Sequence, residues 1–115
     1  MNQARELFEQ STDFTVGIEE EFQIIDRESL ELTPRFEELI GLAKQDPDLA
    51  ESAAGELISS EIEIRSGRGE NFPHAVALQS LHRDKLFALV DSAGLALGAT
   101  GTHPWSRWQD QRIID

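Results

Sequence analysis

The stretch TVGIEEEFQII, residues 15–25, decides how this chain folds. Phe14, Val16, Ile18, Phe22 and Ile24 alternate with Thr15, Gly17, Glu19, Glu21 and Gln23. A period of two puts the first set on one side of a strand and the second set on the other. Three consecutive glutamates, Glu19, Glu20 and Glu21, interrupt it. Glutamate is a poor strand former. Two unit charges ~4 Å apart also cost on the order of 4 kcal/mol at an effective dielectric of ~20. Something in the chain, or something it binds, has to compensate for them.

Working outward, Leu7 and Phe8 suit a short helix ending near residues 11–13. DRES at 26–29 is a polar turn, and LELT at 30–33 is the return strand of a hairpin. Pro34 can open a helix, with Phe36, Leu39, Ile40 and Ala43 at helical spacing. KQDPDLAESAAG is a loop or short helical turn. A second strand is predicted from about 57 to 65, with Ile58, Ile62 and Ile64 on one face and Glu61, Glu63 and Arg65 on the other. SGRGEN breaks it. Asn71 is a natural N-cap for a long helix whose apolar stripe is Ala75, Leu78, His82, Leu86, Leu89 and Ala93, with Gly94 as its stop. LALG at 95–98 begins a small-residue strand that runs into a loop. Strands with interposed helices and an antiparallel hairpin predict an α+β domain, residues 1–115, with an antiparallel or mixed sheet.

Composition narrows the function. The chain has 115 residues, 22 acidic against 10 basic, for a formal charge of −12. That balance argues against binding nucleic acid or an anionic membrane, and it suits cations. With no cysteine, thiol nucleophiles, thiolate metal sites and disulfides are excluded. There is neither a signal-peptide pattern nor an apolar run of membrane-spanning length, so the expected location is cytoplasmic. No glycine-rich phosphate loop is present.

Glu19 and Glu21 lie two apart on a strand, with attachment points ~6.6 Å apart. That spacing lets both grip one hard cation or two neighbouring ones. Glu61 and Glu63 repeat it on the second strand. Glutamate oxygens suit Mg²⁺ or Mn²⁺, which keep water or phosphate in their other positions. The plainer alternative is a solvated strand face or cross-strand pairing with basic residues. Two features count against it: no lysine lies nearby in sequence, and Glu20 falls on the otherwise apolar face.

TVGIEEEFQIID, GELISSEIEIRSG and GATGTHPWSRWQDQRI occur in that order. Together they make residues 13–114 resemble the N-terminal part of the bacterial carboxylate–amine ligases, or type 2 glutamate–cysteine ligases, of the glutamine-synthetase-like superfamily. The resemblance implies half of a glutamine-synthetase-like fold, a partial curved antiparallel sheet with helices on one face. It also implies an ATP-dependent reaction. ATP phosphorylates a substrate carboxylate, typically of glutamate, and an amine such as that of cysteine displaces phosphate to form the amide. Mg²⁺ ions bridge the nucleotide to acidic side chains.

Carried onto this sequence, the resemblance implies metal ligands at Glu19, Glu21, Glu56 and Glu63, with Glu19, Glu21 and Glu63 also serving the nucleotide. Glu61 is a second candidate. In one continuous strand Glu56 and Glu63 face opposite ways, so a bulge near 59–60 or an off-strand Glu56 is expected. The resemblance places His103, in THPW, at the active-site rim as the catalytic candidate. Trp105 and Trp108 are read as packing anchors, Arg65 as a partner of Glu63 in preference to a bidentate contact to a substrate carboxylate, and His74 and His82 as ordinary helix residues. Glu20 is expected to be structural, its charge met by a basic residue or by solvent at the sheet's edge.

Members of that family are longer, so the sheet is expected to be left open. The rest of a ligase domain, or a second copy of this chain, would then cover its edge. The chain alone is expected to bind Mg²⁺ weakly and not to turn over. The alternative function is a non-catalytic acidic module that binds a protein or a cation such as Ca²⁺.

Overall fold

The computed structural model describes residues 2–114. The alternating stretch forms β1 (Glu19–Asp26), and it lies inside the sheet, not at its edge. The other elements are α1 (Asn2–Gln10), α2 (Phe36–Ala43), β2 (Ala53–Ala54), β3 (Glu61–Arg65), α3 (Phe72–Ser92) and β4 (Leu95–Gly98), followed by a 3-10 turn at Trp108–Asp110. The fold is α+β. Its sheet has the order β2-β3-β1-β4, with every pairing antiparallel.

The apolar face of β1 meets helices. Phe22, Ile24, Ile62 and Ile64 of the sheet pack with Leu39 and Ala43 of α2 and with Leu86 and Val90 of α3. Fully burying each large side chain is worth roughly 1.5–3 kcal/mol. Phe22 also meets Phe87 edge to face at 5.2 Å. α3 starts where Asn71 Oδ1 accepts from the His74 amide at 2.9 Å and stops at Gly94, with φ +78°. Its buried stripe is Ala75, Gln79, His82, Leu86 and Val90, so two residues differ from the expected stripe: Gln79 and Val90 are buried, while Leu78 and Leu89 lie at its margin. At 21 residues α3 is long, but no helix among the described residues is both long and apolar enough to cross a membrane.

The first strand is shorter than its alternation predicts. Phe14 has φ +67° and is 91% exposed, so it belongs to a turn, not to the core face. Val16 keeps one bridge, to Gly69. Gly69 has no room for a side chain: a Cβ there would lie 2.7 Å from Ala75, in the first turn of α3. After β1, Asp26 Oδ1 accepts from the amides of Glu28 and Ser29, both at 2.9 Å, which holds its carboxyl below the usual range. The expected return strand at 30–33 shrinks to the single bridge Ile25–Leu32, because Leu30 has φ +61°.

The second predicted strand, 57–65, is a strand only from Glu61, and it is one leg of a hairpin whose other leg, Ala53–Ala54, lies in the stretch expected to be a loop or short helical turn. Ala53–Ala54 and Glu61–Arg65 pair antiparallel, with Ala54 opposite Glu63. Residues 111–114 lie back along 57–60, where the Ser59 amide donates to Arg112 O at 2.8 Å and the Ile114 amide to Leu57 O at 3.0 Å. α1 has no buried residue.

Candidate metal and nucleotide face

The β1–β3 ladder sets the geometry of the polar face. Its successive rungs there are Glu19–Arg65, Glu21–Glu63 and Gln23–Glu61. Directly opposed residues of an antiparallel pair share a face, with Cβ atoms ~4.5–5.5 Å apart. The ladder therefore brings Glu19, Glu21, Glu61 and Glu63 onto one surface, on the side of the sheet away from α2 and α3.

Glu56 joins them by a route the sequence reading missed. Of the two expected placements, a bulge near 59–60 and an off-strand Glu56, the structure takes the second, since β3 begins only at Glu61. In the hairpin, β2 pairs Ala54 with Glu63, and extending that register sets Glu56 opposite Glu61. Electrostatics agrees with this placement. The Glu61 carboxyl is pushed up, first by burial and then by the charges of Glu21 and Glu56. Glu56 also adds to the field at Arg65, whose guanidinium is raised mainly by its hydrogen bond to Glu63.

Glu63 is 4% exposed. Arg65 Nη2 sits 3.0 Å from its Oε2, and Arg65 Nε sits 3.8 Å from Glu19 Oε1. Among the described residues, Arg65 is the only cation paired with these carboxylates. Glu21 faces Glu63 without a cation of its own.

Glu20 points the other way. Its Oε1 accepts from Gln79 Nε2 at 2.9 Å, and its Oε2 lies 3.6 Å from Arg83 Nε. Both partners are on α3, so of the two expected compensations it is a basic residue, Arg83, that meets the charge, and not solvent at a sheet edge. Their four-residue spacing on one helix face was the available signal. Arg83 also lies over the rings of Phe22 and Phe87, at 5.8 and 5.3 Å from the centroids.

His103 lies beside this face. Its Nε2–H donates to Leu30 O at 2.7 Å, and its Nδ1 accepts from the amides of Trp105 and Ser106 at 3.4 and 3.2 Å. Both nitrogens thus serve the loop. Trp105 packs edge to face on that ring and donates to Glu31. Trp108 is 80% exposed, so it is not the packing anchor the sequence suggested. It lines a cleft of about 220 Å³ together with Gln23, Glu61, His103, Arg107 and Gln111. A larger hollow of about 510 Å³ lies between α2 and α3, where Lys85 is already paired with Asp46 and Asp48. His74 accepts from the Glu70 amide. His82 is buried in α3 and donates from Nδ1 to Arg65 O at 2.8 Å.

Among the described residues no three His, Cys, Asp or Glu side chains converge as a ready-made metal cage. Mg²⁺ asks for less. It binds through one or two carboxylates and leaves its other positions to phosphate and water. An all-oxygen donor set with opposed, crowded carboxylates fits that mode.

Comparison with known proteins gives a family. Residues 15–115 match the family model described as glutamate-cysteine ligase family 2. The chain is 32% identical over 102 residues, 89% of its length, to a Rubrobacter xylanophilus protein named "Putative glutamate--cysteine ligase 2-1". It is 31% identical over 110 residues, 96% of its length, to a Verminephrobacter eiseniae protein named "Putative glutamate--cysteine ligase 2". A Gloeobacter violaceus protein of that name is 31% identical over 105 residues, 91% of the chain. The matched regions make up 27%, 29% and 28% of these relatives, so the chain spans less than a third of their length.

Proposed function

Because the chain belongs to glutamate–cysteine ligase family 2, we propose that its polar sheet face holds Mg²⁺ and the phosphates of ATP for a carboxylate–amine ligase. That ligase joins a glutamate carboxylate to an amine such as that of cysteine. The observation that carries this reading is the Glu21–Glu63 rung. Two carboxylates held directly opposite each other repel, and a divalent cation between them reverses the sign of that energy.

When bound, Mg²⁺ would neutralise phosphate charge as the phosphoryl group moves. The chain's own residues do the positioning. Glu19, Glu21 and Glu63 are held in fixed register by the ladder, and Glu56 approaches from the hairpin. Glu20, Gln79 and Arg83 tie β1 to α3 from behind. His103 shapes the rim of the cleft through its loop. Glutamate and the amine are assigned no contact residues.

Mn²⁺ substitution tests the reading. Trace Mn²⁺ added to ¹⁵N-labelled protein should broaden the amides of residues 19–23 and 61–65 first. Mg²⁺ with ATP should then shift the same set. Broadening spread evenly over all the acidic residues would overturn it, since that is the behaviour of an acidic surface without a site.

A further inference from the structure

Among the described residues, Arg65 is the cation already on the polar face. Its guanidinium reaches from Glu63 at 3.0 Å to Glu19 at 3.8 Å, linking two neighbouring rungs of the polar face. The Glu63 side chain is only 5% exposed, and a carboxylate so enclosed needs a counter-charge. Arg65 holds Oε2 of Glu63, so a cation that takes that oxygen displaces the one already on it.

The backbone and the side chain of Arg65 are held differently. Its carbonyl accepts from His82 Nδ1 at 2.8 Å, and its amide donates to Ser52 O at 2.9 Å. The backbone is thus fixed from both sides. The side chain is 46% exposed and is tied only through its guanidinium. Its long stem can swing toward solvent without disturbing β3.

We infer that Arg65 is a resident counter-cation: it joins Glu19 to Glu63 in the metal-free chain, and Mg²⁺ takes those carboxylates by displacing it. This rests on the metal reading above and adds a mechanism to it. Metal binding becomes an exchange of one cation for another. The enclosed Glu63 is never left uncompensated, and the affinity for free Mg²⁺ is held down by the competitor.

Two measurements test it. In the wild-type chain, titration with Mg²⁺ should move the Arg65 Nε–Hε resonance along the same binding curve as the Glu21 and Glu63 amides. By calorimetry, Arg65→Met keeps the stem, removes the charge, and should bind Mg²⁺ about fivefold tighter, the equivalent of an ion pair of ~1 kcal/mol. An Arg65 resonance that stays still while the Glu21 and Glu63 amides saturate overturns the exchange but leaves the metal site standing. A folded Arg65→Met that binds no tighter does the same. If Mg²⁺ moves neither amide, the metal reading fails and the exchange fails with it. Should Arg65→Met not fold, the wild-type titration decides alone.

Discussion

Glu21 and Glu63 face each other directly across the β1–β3 ladder, and only Glu63 has a cation beside it. The repulsion is built into the register, so neither side chain escapes it by a backbone adjustment. Glu21→Gln removes one charge at an exposed position and leaves the Arg65–Glu63 pair intact. Without metal its melting temperature should rise by on the order of 2 °C. Its Mg²⁺ affinity should fall at least ~10-fold, a loss of ~1.4 kcal/mol. Paired thermal scans with and without Mg²⁺ read both effects. A variant that melts lower without metal would contradict the opposed-charge account.

Glu20 should respond with the opposite sign. It lies between Glu19 and Glu21 in sequence but accepts from Gln79 and faces Arg83 on the helix side. Glu20→Ala leaves both partners short of an acceptor and should destabilise by ~1–2 kcal/mol in urea unfolding. Three adjacent glutamates with two opposite signs of effect is an outcome that a solvated acidic face does not give.

Glu61 carries a pH signature. Its carboxyl is raised by burial and by the Glu21 and Glu56 charges, so the folded state holds that proton more tightly than the unfolded chain does. Stability on its account is therefore full below the ordinary carboxylate range. It is lost as pH rises from there through the raised value. Glu61→Gln should match wild type near pH 4 and exceed it at pH 7. Denaturant midpoints measured across that window should diverge upward; parallel curves would remove Glu61 from the cluster.

Gly69 is a packing position. A methyl group there meets the Cβ, N and Cα of Ala75 at 2.7–2.8 Å, and two of those three atoms are helix backbone that cannot swing aside. Gly69→Ala should cost ~1–3 kcal/mol. It should also weaken the Val16–Gly69 bridge, seen as faster exchange of the Val16 amide.

His103 fastens the 101–106 loop to the turn after β1. His103→Ala should speed hydrogen exchange at the Trp105 and Ser106 amides, which lose their acceptor, while the β1 and β3 amides stay protected. Equal acceleration in the strands would show that the ring supports the sheet itself.

Much of the fold was legible because the signals are local. Alternation placed Phe22 and Ile24 inward and Glu19 and Glu21 outward, and Asn71 and Gly94 set the limits of α3. The failures have physical reasons. Phe14 kept the alternating pattern but sits at positive φ, which no periodicity reports. An off-strand Glu56 was expected, but not that a hairpin register sets it across from Glu61, because its turn lacks the usual glycine signal and parity along one strand says nothing across two. Trp108 was read as an anchor from its type, yet nothing packs over it closely enough to bury it.

The sequence by itself determined which side chains of β1 share a face and which residues have the chemistry for a hard cation. Side-chain alternation and ligand type are properties of the residues themselves. Only the tertiary structure set Glu21 opposite Glu63 and Glu19 opposite Arg65, and gave Glu20 to Gln79 and Arg83. Those pairings join segments far apart along the chain, so their register follows from how the sheet and α3 pack together.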